Sequence, residues 1–147
     1  MLIDVKKQKQ SGKVVQNYDF REIIAGLELP YPNAYIDGFV HVNSDAELHG
    51  DLVYLDGTID CTVVGECARC LGKAVYEFKE DFSADYNAFN PKEDEYGFSR
   101  GIVDASLAVK DAIITNFPTQ ILCKQDCKGL CPECGANLNE VSCKCKI

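Results

Sequence analysis

Nine cysteines in 147 residues constrain this chain more than any other feature. Eight fall into four close pairs, Cys67-x2-Cys70, Cys123-x3-Cys127, Cys131-x2-Cys134 and Cys143-x-Cys145, and six of the nine lie in the last 25 positions. Such density means covalent or metal cross-linking. No apolar run approaches the roughly 20 residues that span a bilayer. The start carries Lys6, Lys7 and Lys9 with no apolar core behind them, so no secretory signal and no membrane anchor are expected and the chain is read as cytoplasmic. In a reducing compartment close cysteine pairs hold metal rather than disulfides. Each short spacing lets two thiolates reach one ion at about 2.3 Å while the chain turns, so eight thiolates match two tetrahedral Zn²⁺ sites.

Four pairs can be shared between two ions in three ways. The preferred division joins Cys67 and Cys70 with Cys123 and Cys127, and Cys131 and Cys134 with Cys143 and Cys145, because the latter closes a loop of only eight residues. The first ion then staples body to tail, and the second folds a tail too short for its own core. In Cys131-Pro132-Glu133-Cys134-Gly135 the glycine lets the backbone turn back and aim amide N–H groups at the thiolates, as in a zinc knuckle. Cys61 is left over and, within the alternation Ile59, Cys61, Val63, reads as a small buried hydrophobe. The competing chemistry is thiol–disulfide exchange. A redox CxxC opens a helix after a strand, where the helix dipole lowers a thiol pKa, whereas Cys67-Ala68-Arg69-Cys70 lies between two strand patterns.

The remaining pattern predicts an α+β fold: a curved antiparallel sheet, a meander open to barrel-like closure, with one packed helix and the zinc-bound tail. Residues 1–122 form the body and 123–147 the tail. Val40 and Val42, Ala46 and Leu48, Leu52 and Tyr54, then Ile59, Cys61 and Val63 alternate with polar positions, as do Ala74, Tyr76 and Phe78; period two marks half-buried strands. Asp56-Gly57 predicts a tight hairpin and His49-Gly50-Asp51 a second turn. Asn90 to Gly101 reads as a polar loop, and Phe20 to Leu27 as a short helix. Asp104 is the expected N-cap of a helix running to Phe117, where Pro118 stops it. Leu107 and Ile114 lie opposite its main apolar face, which predicts a helix wedged between the sheet and another surface.

Net charge is −8, unevenly placed: residues 1–16 carry four Lys and one Asp, residues 123–147 four Lys and three acids, and the middle 7 basic and 19 acidic residues. An acidic body repels phosphate and attracts basic partners, which excludes generic nucleic-acid binding by the whole molecule. Catalytic chemistry is thin. His41 and His49 have no serine in a nucleophile-elbow context, no Gly-rich loop precedes a lysine, and Glu93 to Glu95 form a solvated acidic run. A metal with four thiolates is coordinatively closed, so both ions are expected to be structural and the protein not an enzyme.

Cys67-Ala68-Arg69-Cys70-Leu71, the helix end Asn116-Phe117-Pro118 and the tail from Cys127-Lys128-Gly129-Leu130-Cys131-Pro132-Glu133-Cys134-Gly135 to Asn137-Leu138-Asn139 resemble the YceD family, along nearly the whole chain. The resemblance implies a role in accumulation of large-subunit ribosomal RNA, and so in ribosome assembly, and gives a process rather than a mechanism. Arg69, Lys73, Lys124, Lys128, Lys144 and Lys146 are brought into one basic patch if zinc joins tail to sheet, and such a patch suits RNA phosphates. The same cations also offset eight thiolates, whose charge exceeds that of two Zn²⁺ by four. The acidic body suits a different partner, a basic ribosomal protein held without RNA contact.

Overall fold

The computed structural model describes residues 1–145. β1 (Leu2–Asp4) runs directly into α1 (Val5–Gln10), and β2 (Val15–Glu22) precedes three strands of 15 residues each, β3 (Tyr35–His49), β4 (Leu52–Glu66) and β5 (Lys73–Asn87). Then come β6 (Tyr96–Gly97), β7 (Ile102–Asp104) and α2 (Ser106–Thr115). The main sheet has the order β2-β3-β4-β5-β6, antiparallel except for the β5–β6 pair, and β1 with β7 forms a separate ribbon. The meander is as expected, but the main sheet ends on β2 and β6 and closes no barrel. With described helices of only 6 and 10 residues, the fold is mostly β rather than an even α+β mixture.

The core follows the alternation. Val40, Val42 and Ala46 of β3, Ile59, Cys61 and Val63 of β4, and Ala74 and Phe78 of β5 are buried on one face, and Phe82, Ala84 and Tyr86 prolong it. Ile3, Val103, Val109, Ile113 and Ile121 join that same buried cluster. Burying each large aliphatic or aromatic side chain contributes about 1.5–3 kcal/mol. The Gly50-Asp51 turn joins β3 to β4, with His49 opposite Leu52 and Gly50 at φ 60°, a conformation that glycine adopts without steric cost.

Asp56-Gly57 is not a turn. It lies inside β4, where Asp56 pairs with Asp45 and Gly57 with Ser44. A Cβ on Gly57 would collide with the carbonyl oxygen of Asn43 and the Cα of Ser44, so the glycine is there because the β3 backbone crosses it closely. Removing that turn shifts the phase before it: Val53 and Leu55, not Leu52 and Tyr54, face the core, so the buried alternation runs unbroken through Gly57 to Ile59.

The segment expected as a helix from Phe20 begins as strand, because Tyr18 and Phe20 alternate with Asp19 and Arg21 and pair in register with β3 from Val15–Glu47 to Glu22–Val40. The N-terminal helix lies earlier. Asp4 accepts the Lys7 N–H at 3.0 Å and caps α1, and the buried Gln8 donates to the Ala46 carbonyl at 2.9 Å. At α2 the N-cap residue is Ala105, while Asp104 accepts the Ser106 N–H at 2.9 Å from the end of β7. Ala108, Val109 and Ile113 are buried as expected, but Leu107 and Ile114 are exposed, so this helix is covered on one side only. The polar loop is interrupted by the short β6, whose Tyr96 stacks on Tyr86 with ring centroids 5.2 Å apart.

Gly57→Ala is expected to destabilise the protein by about 1–3 kcal/mol, the usual cost of inserting a methyl group into a packed site. Urea unfolding followed by circular dichroism measures it; an unchanged midpoint would show that β3 yields at Asn43.

Candidate metal centres

The hairpin between β4 and β5 builds the first centre. Cys67 is fully buried, its N–H donates to the Gly72 carbonyl at 2.7 Å, and Leu71, at φ 61°, donates its N–H back to the Cys67 carbonyl at 3.0 Å. The chain after α2 is held against this hairpin. Ala68 donates to the Ile121 carbonyl at 2.8 Å, and the Tyr31 hydroxyl donates to the Glu66 carbonyl at 2.8 Å while accepting the Ile121 N–H at 3.3 Å. Cys123 and Cys127 therefore arrive beside Cys67 and Cys70.

The Sγ atoms of Cys67, Cys70, Cys123 and Cys127 all lie within 4.8 Å of one another, and so do those of Cys131, Cys134, Cys143 and Cys145. This grouping coincides with the division preferred from loop length. The Cys67–Cys127 and Cys70–Cys123 sulfur distances are both 3.7 Å. Thiolates about 2.3 Å from a central ion stand at the corners of a tetrahedron with edges of about 3.8 Å, whereas a disulfide needs about 2.05 Å. Both clusters are compatible with metal sites.

In the second cluster Cys131 donates its N–H to the Ala136 carbonyl and Gly135, at φ 71°, donates to the Cys131 carbonyl, both at 2.8 Å. The two centres are joined by Asn139, which the sequence reading missed. It lies in the loop between Cys134 and Cys143, donates its side-chain amide to the Cys127 sulfur at 3.3 Å, and accepts the Lys128 N–H at 2.9 Å. The only signal for it was its place in the asparagine pair of the tail motif.

The electrostatics are those of a cation cage. Burial raises the Cys67 pKa, but the N–H groups of Cys70, Cys123 and Arg69 outweigh it and bring the thiol down to about 6. The N–H groups of Cys134 and Glu133 lower Cys131 to about 6, and the Asn139 amide lowers Cys127. Burial, followed by the neighbouring thiols, pushes Cys123 up to about 12, and hydrogen bonding to Cys134 with burial does the same to Cys145. Each cluster thus ionises in part and resists further charge, an opposition that a divalent cation at its centre removes. Cys61, opposite Phe78 on the inner sheet face, is pushed to about 11 by burial and stands outside both groups.

Arg69 faces the tail rather than open solvent alone: its guanidinium donates to the carbonyls of Cys127 at 3.0 Å and Gln125 at 3.4 Å. Lys73, Lys124, Lys128 and Lys144 are exposed. Lys146 lies outside the described residues. His41 is placed between Asp19 at 2.8 Å and Asp60 at 3.1 Å, and His49 meets Glu47, so neither histidine is set against a nucleophile.

A family described as large ribosomal RNA subunit accumulation protein YceD matches residues 55–147, which take in most of β4, the whole of β5 and α2, and all eight paired cysteines. An uncharacterised protein of Mycobacterium leprae is 33% identical over 122 residues, 77% of this chain and 54% of its own length. Another, of Mycobacterium tuberculosis, is 33% identical over 93 residues, 58% of this chain and 45% of its own. A chloroplastic protein of Zea mays named Large ribosomal RNA subunit accumulation protein YCED homolog 1 is 44% identical over 45 residues, 30% of this chain and 15% of its own. The chain spans about half the length of the mycobacterial relatives that it matches. No solved structure matches it.

Cys67→Ser and Cys131→Ser are expected to differ in reach. Cys67→Ser should deprotect the β4–β5 hairpin and the segment around Ile121 in amide hydrogen exchange, because it opens the clasp that joins them. Cys131→Ser should deprotect mainly residues 129–145 and, through Asn139, the Cys127 turn. Equal deprotection of β3 to β5 in both variants would contradict two centres with separate structural duties.

Proposed function

The chain belongs to the YceD family, and from that premise we propose that it promotes accumulation of large-subunit ribosomal RNA as a non-enzymatic factor of ribosome assembly in the cytoplasm. The observation that carries this is the family match across the part of the chain that builds both centres. The ion in each centre is Zn²⁺, held by Cys67, Cys70, Cys123 and Cys127 in one and by Cys131, Cys134, Cys143 and Cys145 in the other. Its chemistry is structural, since four thiolates leave no position for water or substrate. The tail then presents Lys124, Lys128 and Lys144, with Lys73 and Arg69 on the hairpin, as contacts for RNA phosphates. Arg69, bonded to two tail carbonyls, acts there mainly by holding the tail in place.

One observation favours a second reading. The outer sheet face carries Asp19, Asp45, Asp56, Asp60, Asp81 and Asp85 in adjacent register positions, against Arg21 and Lys79 and a histidine, His41, whose pKa is raised by the hydrogen bond that it donates to Asp19. Such a face suits a basic ribosomal protein, chaperoned without RNA contact.

Protein purified under reducing conditions should carry two zinc ions per chain by elemental analysis, and Cys61→Ala should keep both. A content of one, or loss of zinc from that variant, breaks the ligand assignment; a content of zero returns thiol–disulfide exchange to consideration.

Crosslinking in cells, with sequencing of bound RNA and mass spectrometry of bound proteins, tests the function. Large-subunit ribosomal RNA should dominate the crosslinks. Crosslinks to a basic ribosomal protein alone would favour the second reading, and crosslinks to neither would overturn both.

A further inference from the structure

We propose that the hollow between α1 and β2, at the end of the sheet away from the cysteine centres, is a second phosphate-binding surface for RNA, built by Lys7, Lys9 and Lys13. It rests on the reading that the chain acts on ribosomal RNA, and adds a place where the sugar–phosphate backbone lies.

Residues 1–16 carry four lysines and one acid in a chain whose remainder carries 11 basic and 22 acidic residues. The one acid, Asp4, is committed to capping Lys7. All four lysines are exposed. Among the described residues the ion pairs are made by the N-terminal amine and the two histidines, and none of these lysines is in one. Asp4 is the one carboxylate lining the hollow, against Lys7 and Lys13, so the lining keeps a net positive charge.

The shape is concave and its floor is fixed. Lys7 and Lys13 line a cavity of about 420 Å³ with Asp4, Gln8, Ser11, Gln16 and Tyr18. Lys13 also lines an adjoining hollow of about 300 Å³ with Lys9, so one lysine is common to both. Gln8, 1% exposed, holds the loop that carries Lys13: its amide donates to the carbonyls of Ala46 at 2.9 Å, Val14 at 3.3 Å and Lys13 at 3.4 Å, while its oxygen accepts the Tyr18 hydroxyl at 3.0 Å. Lys9 donates to the Gly50 carbonyl at 3.1 Å, which ties α1 to the β3–β4 turn. The cations are thus carried on a preorganised frame, which lowers the ordering cost of binding.

The chemistry points to phosphate rather than to bases. Tyr18, the aromatic side chain lining these hollows, is half-buried, stacked on Phe20 and bonded through its hydroxyl to Gln8, so it offers no free stacking platform, and the Gln8 amide is already fully engaged. Lysine ammonium groups bind phosphates as mobile point charges, so the surface positions RNA without reading its sequence.

The test is binding of a fluorescein-labelled single-stranded RNA of mixed sequence to the full, zinc-loaded chain, across a salt series. For a single strand each phosphate contact adds about 0.7 to the salt slope. Lys7→Gln combined with Lys13→Gln should make the slope shallower by about 1.4 and weaken binding about 25-fold at 0.1 M salt. Lys7→Arg with Lys13→Arg should bind like the wild type. A second readout needs no variant: RNA bound to the wild type should protect Lys7, Lys9 and Lys13 from acetylation. An unchanged slope in the glutamine variant, or protection confined to Lys124, Lys128 and Lys144, would overturn the proposal. Failure of the wild type to bind RNA, while it still restores ribosomal RNA accumulation in cells lacking it, would overturn this site and leave the broader function standing. Loss of that restoration with intact RNA binding in vitro would count against the function and not against the site.

Discussion

The structure depends on a clasp between parts of the chain that are far apart in sequence. Cys67 and Cys127 are 60 positions apart, yet both are buried and belong to the same hydrophobic cluster as the sheet. Closing a flexible loop of the 52 residues between Cys70 and Cys123 costs about 3.5 kcal/mol of length-dependent entropy. Packing of α2 and Ile121 against the sheet meets part of that cost. The four-thiolate centre, once it holds an ion, fixes the end that packing leaves open, where Cys123 is exposed and Cys70 half-buried. Tyr31, Arg69 and Asn139 then bond to backbone or sulfur atoms that the clasp has already brought near.

A second consequence is the layout of charge. β4 runs 15 residues from the Gly50 turn to the Cys67 hairpin, a length of about 45 Å at the usual strand rise. Lysines cluster beside the turn, and the tail lysines follow the cysteine centres. The outer face between them is acidic, and its carboxylates repel one another across adjacent strands. His41 relieves part of this repulsion by bridging Asp19 on β2 and Asp60 on β4. A polyanion approaching such a surface is attracted at the ends and repelled along the middle, while a polycation meets the reverse.

Much of this was legible in the residues. The strands of the meander follow from period-two alternation, because successive side chains of a strand point to opposite faces whatever lies beyond them. That the cysteines form close pairs suited to metal follows from spacing, because two thiolates a few residues apart share a small volume; which pairs meet at one centre is decided by the fold. Asp56-Gly57 shows where such local reasoning fails. The dipeptide suits a turn, but the same absence of a Cβ also serves the close passage of Asn43 and Ser44, and the structure uses the second property. Phe20, expected to open a helix, is likewise fixed as strand by its partner Val42 on β3.

The sequence by itself therefore determined the strands, the four close thiol pairs and the segregation of charge along the chain, all of which rest on residues close in number. The tertiary structure decided that the sheet stays open, that Arg69 spends its guanidinium on the Gln125 and Cys127 carbonyls, that Asn139 ties one centre to the other, and that Gln8 holds a lysine-lined hollow. The open edges aside, these are contacts between positions that no local pattern brings together, and only packing supplies their geometry.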